Sequence, residues 1–132
     1  MKVFVNGTFD ILHPGHIDLL YLASTYGDEF VVAIDSDRRV KEKKGDMRPI
    51  NNEDTRSKII FHIKGVDKVF IFDSDDELRD IIREYEPDVM MVGSDYRDKE
   101  VIGSEYAKQL VFFERDTRYS STKVIEGIIS RG

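Results

Sequence analysis

The chain has 132 residues, 40% hydrophobic and 35% charged, with a formal charge of −6. That length suits one domain with its own core, so residues 1–132 are read as a single domain. The absence of cysteine excludes disulfides, thiolate catalysis and Cys-ligated metal centres, and the acidic balance argues against a nucleic-acid binder.

Strands are expected over residues 2–6, 29–35, 68–72, 88–92 and 110–114. Several are almost continuously apolar, as in Val31-Val32-Ala33-Ile34 and Val89-Met90-Met91-Val92. Strands covered on both faces read this way. Between the first two strands, Ile17, Leu19, Leu20, Leu22 and Ala23 form the apolar stripe of a helix, which Gly27 stops. Residues 38–48 read as a basic loop. Asn51 or Asn52 caps a second helix carrying Ile59, Ile60 and Ile63 and ending at Gly65. Ser74-Asp75-Asp76-Glu77 is a capping box, followed by Leu78, Ile81, Ile82 and Tyr85 and stopped before Pro87. A short helical turn follows Ser104. A last helix follows Ser120-Ser121-Thr122, with Val124, Ile125, Ile128 and Ile129 expected to face inward.

Strands alternating with helices imply βαβ units and right-handed crossovers. The fold expected is a Rossmann-like, doubly wound, five-stranded parallel sheet in three layers, α/β/α. No apolar run approaches a membrane span, and the strand-like start does not read as a signal peptide, so a cytoplasmic location is expected. Ligands of such sheets bind beyond the carboxyl ends of the strands. The segments to inspect are therefore 7–16, 35–52, 93–101 and 115–122.

The first of these is Gly7-Thr8-Phe9-Asp10-Ile11-Leu12-His13-Pro14-Gly15-His16. His13 and His16 share one face of the opening helical turn. Pro14 suits a first helical position, and Gly15 leaves room for a close approach to the backbone. Two imidazoles, backbone N–H groups and the positive end of a helix dipole converge there, a combination that binds phosphate. The loop lacks the Gly-Lys-Ser/Thr of a Walker A motif and the Gly-x-Gly-x-x-Gly of a dinucleotide fingerprint. A zinc site needs a third protein ligand, and the remaining histidine, His62, lies on another helix.

Residues 7–16 resemble the G-T-F-D-x-x-H-x-G-H signature of the cytidylyltransferase-like nucleotidyltransferases. Segments 3–16, 31–37, 45–56, 92–96 and 120–123 also have counterparts in that family. The resemblance implies transfer of a nucleoside monophosphate from an NTP to a small phosphorylated polyol or sugar, with release of pyrophosphate. It implies Mg²⁺ accompanying the NTP, and a homodimer. It assigns catalytic roles to His13, His16, Lys44 and Arg115. Nucleotide contacts fall to Gly7, Thr8, Phe9, His13, Gly15, His16, Gly93, Asp95, Ser120, Ser121 and Thr122. Acceptor or phosphate contacts fall to Asp10, Arg56 and Lys43, and Asp10 is the one weak candidate for metal.

The residues themselves support these assignments unevenly. The stretch 38–48 holds six basic and two acidic side chains, Arg38, Arg39, Lys41, Lys43, Lys44 and Arg48 against Glu42 and Asp46. A positive segment on an acidic body suits a triphosphate, although charge runs are usually solvated faces. Arg56 reads equally as a surface arginine paired with Glu53. Gly93-Ser94-Asp95 reads equally as an ordinary turn. Arg115 to Lys123 carries three hydroxyls in a row below two arginines, more than capping a helix requires. Phe9 and Leu12 read as packing residues, and Asp10 alone as a turn cap.

Two branches of the family divide the sequence. Arg115 and the short length resemble glycerol-3-phosphate cytidylyltransferases. Gly45-Asp46-Met47-Arg48-Pro49 and Ile102-Gly103-Ser104-Glu105 resemble the adenylyltransferase domain that makes ADP-heptose. CTP with a glycerol-3-phosphate-like acceptor is favoured; ATP with a heptose-1-phosphate-like sugar is the alternative. A catalytically inactive nucleotide-binding module is the reading from another class. A phosphate receiver built on Asp73 and Asp75-Asp76 leaves His13 and His16 without a role.

Overall fold

A computed structural model describes residues 1–114 and 118–131. Five strands, β1 (Lys2–Gly7), β2 (Glu29–Asp35), β3 (Lys68–Phe72), β4 (Val89–Gly93) and β5 (Gln109–Phe113), form one parallel sheet in the order β3-β2-β1-β4-β5. The chain moves outward from β1 through β2 to β3, then returns to the other side of β1 for β4. The carboxyl ends of β1 and β4 therefore splay apart at a topological switch point, where a crevice opens.

Helices α1 (Pro14–Thr25) and α3 (Glu53–Phe61) cover one face, and α4 (Asp75–Tyr85) covers the other. The apolar run of β1 explains the arrangement. Val3 and Val5 pack with Leu20, Ala23 and Ile60 on the α1 face, while Phe4 packs with Leu78 and Ile82 on the α4 face. The doubly wound three-layer expectation is met, and every strand falls within one residue of its expected bounds.

The helices differ more. The segment 38–48 is not a loop over most of its length. It forms α2 (Asp37–Lys44), whose N-cap Ser36 accepts from the Arg39 N–H at 3.2 Å. Asp37 in its first turn and Lys41, Lys43 and Lys44 in its last complement the helix dipole. Val40 is its one buried residue, so the helix carries no apolar stripe to announce it. Asn52, rather than Asn51, caps α3, accepting from Thr55 N–H at 2.8 Å. Ser74 caps α4, but Glu77 reaches back to the N–H of Asp73, one residue earlier than a capping box places it.

The last helix, α5 (Ser121–Arg131), contradicts the expected inward face. It has no buried residue, and Val124, Ile128 and Ile129 are exposed. None of its residues belongs to either core cluster, and β5, which precedes it in the chain, is an edge strand. Helix α1 likewise buries only Leu20 and Ala23 of its stripe. Gly27 lies beyond the end of α1, where a Cβ would sit 2.3 Å from the Met1 carbonyl oxygen. No helix among the described residues is long and apolar enough to cross a membrane.

Candidate active site

The crevice at the switch point is a cavity of about 400 Å³. Its walls come from the β1–α1 loop, the start of α1, the end of β2, helix α2, the residues after β4 and the start of α5.

The β1–α1 loop folds around its own side chains. Phe9 takes a left-handed backbone conformation (φ 49°) and turns its ring under Gly7. A Cβ on Gly7 would meet that ring at 2.9 Å, so glycine is required there. The ring of Phe9 then supports His16, with centroids 5.4 Å apart. His13 is the N-cap of α1: its Nδ1 accepts from Gly15 N–H at 3.1 Å. His16 answers by accepting the N–H of His13 on its own Nδ1 at 3.2 Å. The two rings lie 3.9 Å apart, tilted by 32°. A Cβ on Gly15 would come within 2.8 Å of the His13 ring. The group that needs the space at Gly15 is thus His13 itself.

This reciprocal capping fixes the chemistry of the pair. Each Nδ1 is an acceptor, so the proton of each neutral ring sits on Nε2. It also corrects one expectation. The N–H groups of Gly15, His16 and Ile17 are engaged by the His13 ring or carbonyl, so the start of α1 does not offer them to an anion. Both rings are thus held at their Nδ1 edges by the backbone of the same turn, and both line the cavity.

Asp10 lines the cavity, but both of its carboxylate oxygens are engaged by backbone N–H groups. It is 7% exposed, and its two oxygens accept the N–H groups of Ile50 and Asn51 at 2.7 and 2.8 Å. It pins the turn after the cis peptide at Arg48–Pro49 to the β1–α1 loop. Arg56 is displaced from its expected role more completely. It is wholly buried and is not among the residues lining the cavity. Its Nε donates to the Asn51 carbonyl, Nη1 to the carbonyls of Thr8 and Asp35, and Nη2 to the Asp37 carboxylate. It clamps the ends of β1 and β2 to α2. Neither a phosphate contact nor a surface pair with Glu53 describes it.

Helix α2 brings Arg39, Lys43 and Lys44 to the cavity, and the following turn brings Arg48. Lys43 Nζ lies 3.7 Å from Asp35, so part of its charge is already answered. Lys44 lines the same cavity and makes no ion pair among the described residues. Arg38 points elsewhere. Its Nε donates to both oxygens of Asp73 at 2.9 and 3.0 Å, and with the Ser36 hydroxyl it holds that carboxyl below the usual carboxylate range. Asp73 is therefore tied into an ion pair rather than arranged as a phosphate receiver.

Gly93 and Asp95 line the cavity after β4. Of the three hydroxyls at the start of α5, Ser121 lines it and donates to the Ile11 carbonyl at 2.6 Å, joining α5 to the β1–α1 loop. Ser120 instead caps α5, accepting from Lys123 N–H, and Thr122 is exposed; neither lines the cavity. Arg115 lies outside the described residues. His62 bonds the Lys58 carbonyl, remote from the other two histidines.

Sequence reasoning missed Asp35, Arg39 and Tyr119. Tyr119 stacks on His13 at 6.1 Å between centroids. Arg39 was visible only as one charge in a run. The signal that would have found it is its spacing of four from Asp35, once residues 37–44 are recognised as helix.

A family described as cytidylyltransferase-like matches residues 4–127. The bifunctional protein HldE of Helicobacter pylori (strain P12) is 42% identical over 126 residues, 96% of this chain and 27% of that protein. HldE of Campylobacter fetus subsp. fetus (strain 82-40) is 43% identical over the same shares. HldE of Gluconobacter oxydans (strain 621H) is 38% identical over 132 residues. The chain thus spans about a quarter of the length of these curated relatives. Among solved structures, a lipopolysaccharide core biosynthesis protein from Thermoplasma volcanium GSS1 superimposes with a TM-score of 0.71 at 28% identity, covering 88% of this chain and 98% of that one.

Proposed function

The chain belongs to the cytidylyltransferase-like family, and from that premise we propose that it moves AMP from ATP to a sugar phosphate and releases pyrophosphate. The observation that carries the reading is a single cavity at the switch point shared by the locked imidazole pair and the cations of α2.

The sequence alone favours CTP and a glycerol-3-phosphate-like acceptor. The relatives move the reading to the alternative. The HldE proteins fall with the ADP-heptose branch, and the Thermoplasma neighbour is named for lipopolysaccharide core synthesis. Arg48 and Ile102, from the two segments that resemble that branch, both line the cavity.

The chemistry needs little from the protein beyond placement. An oxygen of the acceptor phosphate attacks the α-phosphorus, a new P–O bond forms, and the bond from that phosphorus to the bridging oxygen breaks. Pyrophosphate leaves with the electron pair. The nucleophile is already an anion, so no general base is required. Catalysis lies in stabilising charge on the triphosphate. His13 and His16 donate Nε2–H to its oxygens; Lys44 and Arg48 add positive charge; Gly93, Asp95 and Ser121 hold the nucleoside end. Asp10, Arg56 and Ser120 hold the walls in place.

Mg²⁺ enters as part of the Mg–NTP substrate. No group of three metal-binding side chains occurs among the described residues, and Asp10 is bonded through both oxygens to backbone N–H groups. The triphosphate itself is the fitting source of oxygens. A cytoplasmic location and a homodimer belong to the same proposal; sedimentation tests the second.

The deciding experiment incubates the purified chain with each NTP, Mg²⁺ and a panel of phosphorylated sugars and polyols. Pyrophosphate is measured and products are weighed by mass spectrometry. An ADP-sugar is expected. A CDP-polyol would restore the first expectation, and nucleotide binding without pyrophosphate would make the chain a binding module.

A further inference from the structure

Resting on the proposed transfer to a sugar phosphate, we infer that Arg39 selects the acceptor by hydrogen-bonding the neutral hydroxyls at its non-reacting end.

The cavity crosses the upper edge of the sheet. On the α1 side its walls include Phe9, Leu19 and Phe113, which belong to the core beneath α1. On the α4 side its floor is Phe72, Leu78, Val92, Val101 and Ile102, which belong to the other core. The imidazole pair and Ser121 lie on the first side, where the triphosphate and nucleoside are placed. The α4 side is what remains for the acceptor. Its floor is apolar enough to take the C–H face of a sugar ring, but the hydroxyls of such a ring need partners that the floor does not supply.

Arg39 is built to supply them. Its Nε donates to Asp35 Oδ2 at 3.2 Å and its Nη2 to Asp75 Oδ1 at 2.6 Å. Its guanidinium carbon stands 5.1 Å from the centre of the Phe72 ring. The side chain is 11% exposed. Asp35 closes β2, and Asp75 opens α4, so the guanidinium is held between two rigid elements. Its Nη1 makes no hydrogen bond among the described residues, and its N–H groups form the donating edge of a fixed fork. Arginine ordinarily attracts phosphate, but here two carboxylates flank it. With Lys43 beside Asp35, the cluster of Arg39, Lys43, Asp35 and Asp75 carries no net charge. A neutralised fork has donors to give a hydroxyl and little pull on a second anion, whereas Lys44 and Arg48 keep theirs.

Arg39 therefore acts on acceptor recognition and not on the nucleotide. The test uses the full chain, ATP with Mg²⁺, and heptose 1-phosphate alongside its singly deoxygenated analogues. Arg39→Gln is expected to raise the KM for heptose 1-phosphate about tenfold or more, the scale of one hydrogen bond to a charged donor. The KM for ATP should stay within about twofold. One deoxy analogue should respond equally poorly with wild type and variant, because the hydroxyl that Arg39 reads is missing. Arg39→Lys keeps a cation beside Asp35 but lacks the fork; it is expected to show the same acceptor defect and serves if the glutamine variant does not fold. A rise in the ATP KM, or no change in either constant, overturns the assignment. If wild type transfers AMP to no acceptor, the proposed function falls. Calorimetric titration of heptose 1-phosphate into wild type and variant then decides the role of Arg39 by itself, with equal affinities refuting it.

Discussion

Replacing Arg56 with Met separates a structural clamp from a ligand contact. The guanidinium is wholly buried and makes four hydrogen bonds, to Asn51, Thr8, Asp35 and Asp37. Met fills similar volume but leaves three carbonyls and one carboxylate without a donor. Removing one partner of a buried ion pair costs about 3–5 kcal/mol. Each orphaned carbonyl adds on the order of 1 kcal/mol where water does not reach it. Asp37 is 29% exposed and recovers part of its hydration, so a total of about 3–5 kcal/mol is expected. A chain of this length has roughly 7–20 kcal/mol of stability, so the variant should still fold. At about 4 °C per kcal/mol, its midpoint should fall by about 12–20 °C. Urea denaturation followed by circular dichroism measures the loss directly. Nucleotide affinity, measured well below the midpoint, should change far less than stability does. Near-normal stability combined with lost phosphate affinity would refute the clamp and restore Arg56 as a ligand residue.

Three further outcomes follow from the same geometry. His16→Ala should lower turnover by about 10²–10³, the effect of losing one preorganised donor; unchanged pyrophosphate release would remove the ring from the mechanism. Lys44→Ala should raise the NTP requirement in steady-state kinetics, while Lys41→Ala, whose side chain does not line the cavity, should do little; equal effects would reduce α2 to diffuse charge. Ile128→Glu with Ile129→Glu should shift the unfolding midpoint by no more than about 4 °C, because surface changes usually stay within about 0.5 kcal/mol each and both residues are largely exposed. A loss of several kcal/mol would show that the face is covered in solution.

Strand positions, their parallel pairing and the place of the crevice were all legible in the residues. A strand buried on both faces must be continuously apolar, and that pattern is local. The histidine turn was legible for a similar reason, since Pro14, Gly15 and two histidines at a spacing of three act within one turn. Helix α2 was not. Its single buried residue leaves no periodicity, and its charges read as a solvated run until Ser36 is seen to cap it. The roles of Asp10 and Arg56 were also hidden, because a carboxylate or guanidinium looks the same in sequence whether its partner is a ligand or a backbone group 40 residues away. Local chemistry and burial pattern thus dictated the sheet and the histidine turn. Which charged groups meet the cavity, and which are spent holding its walls, was decided by long-range packing, since hydrogen-bond partners far apart in the chain meet only in the folded molecule.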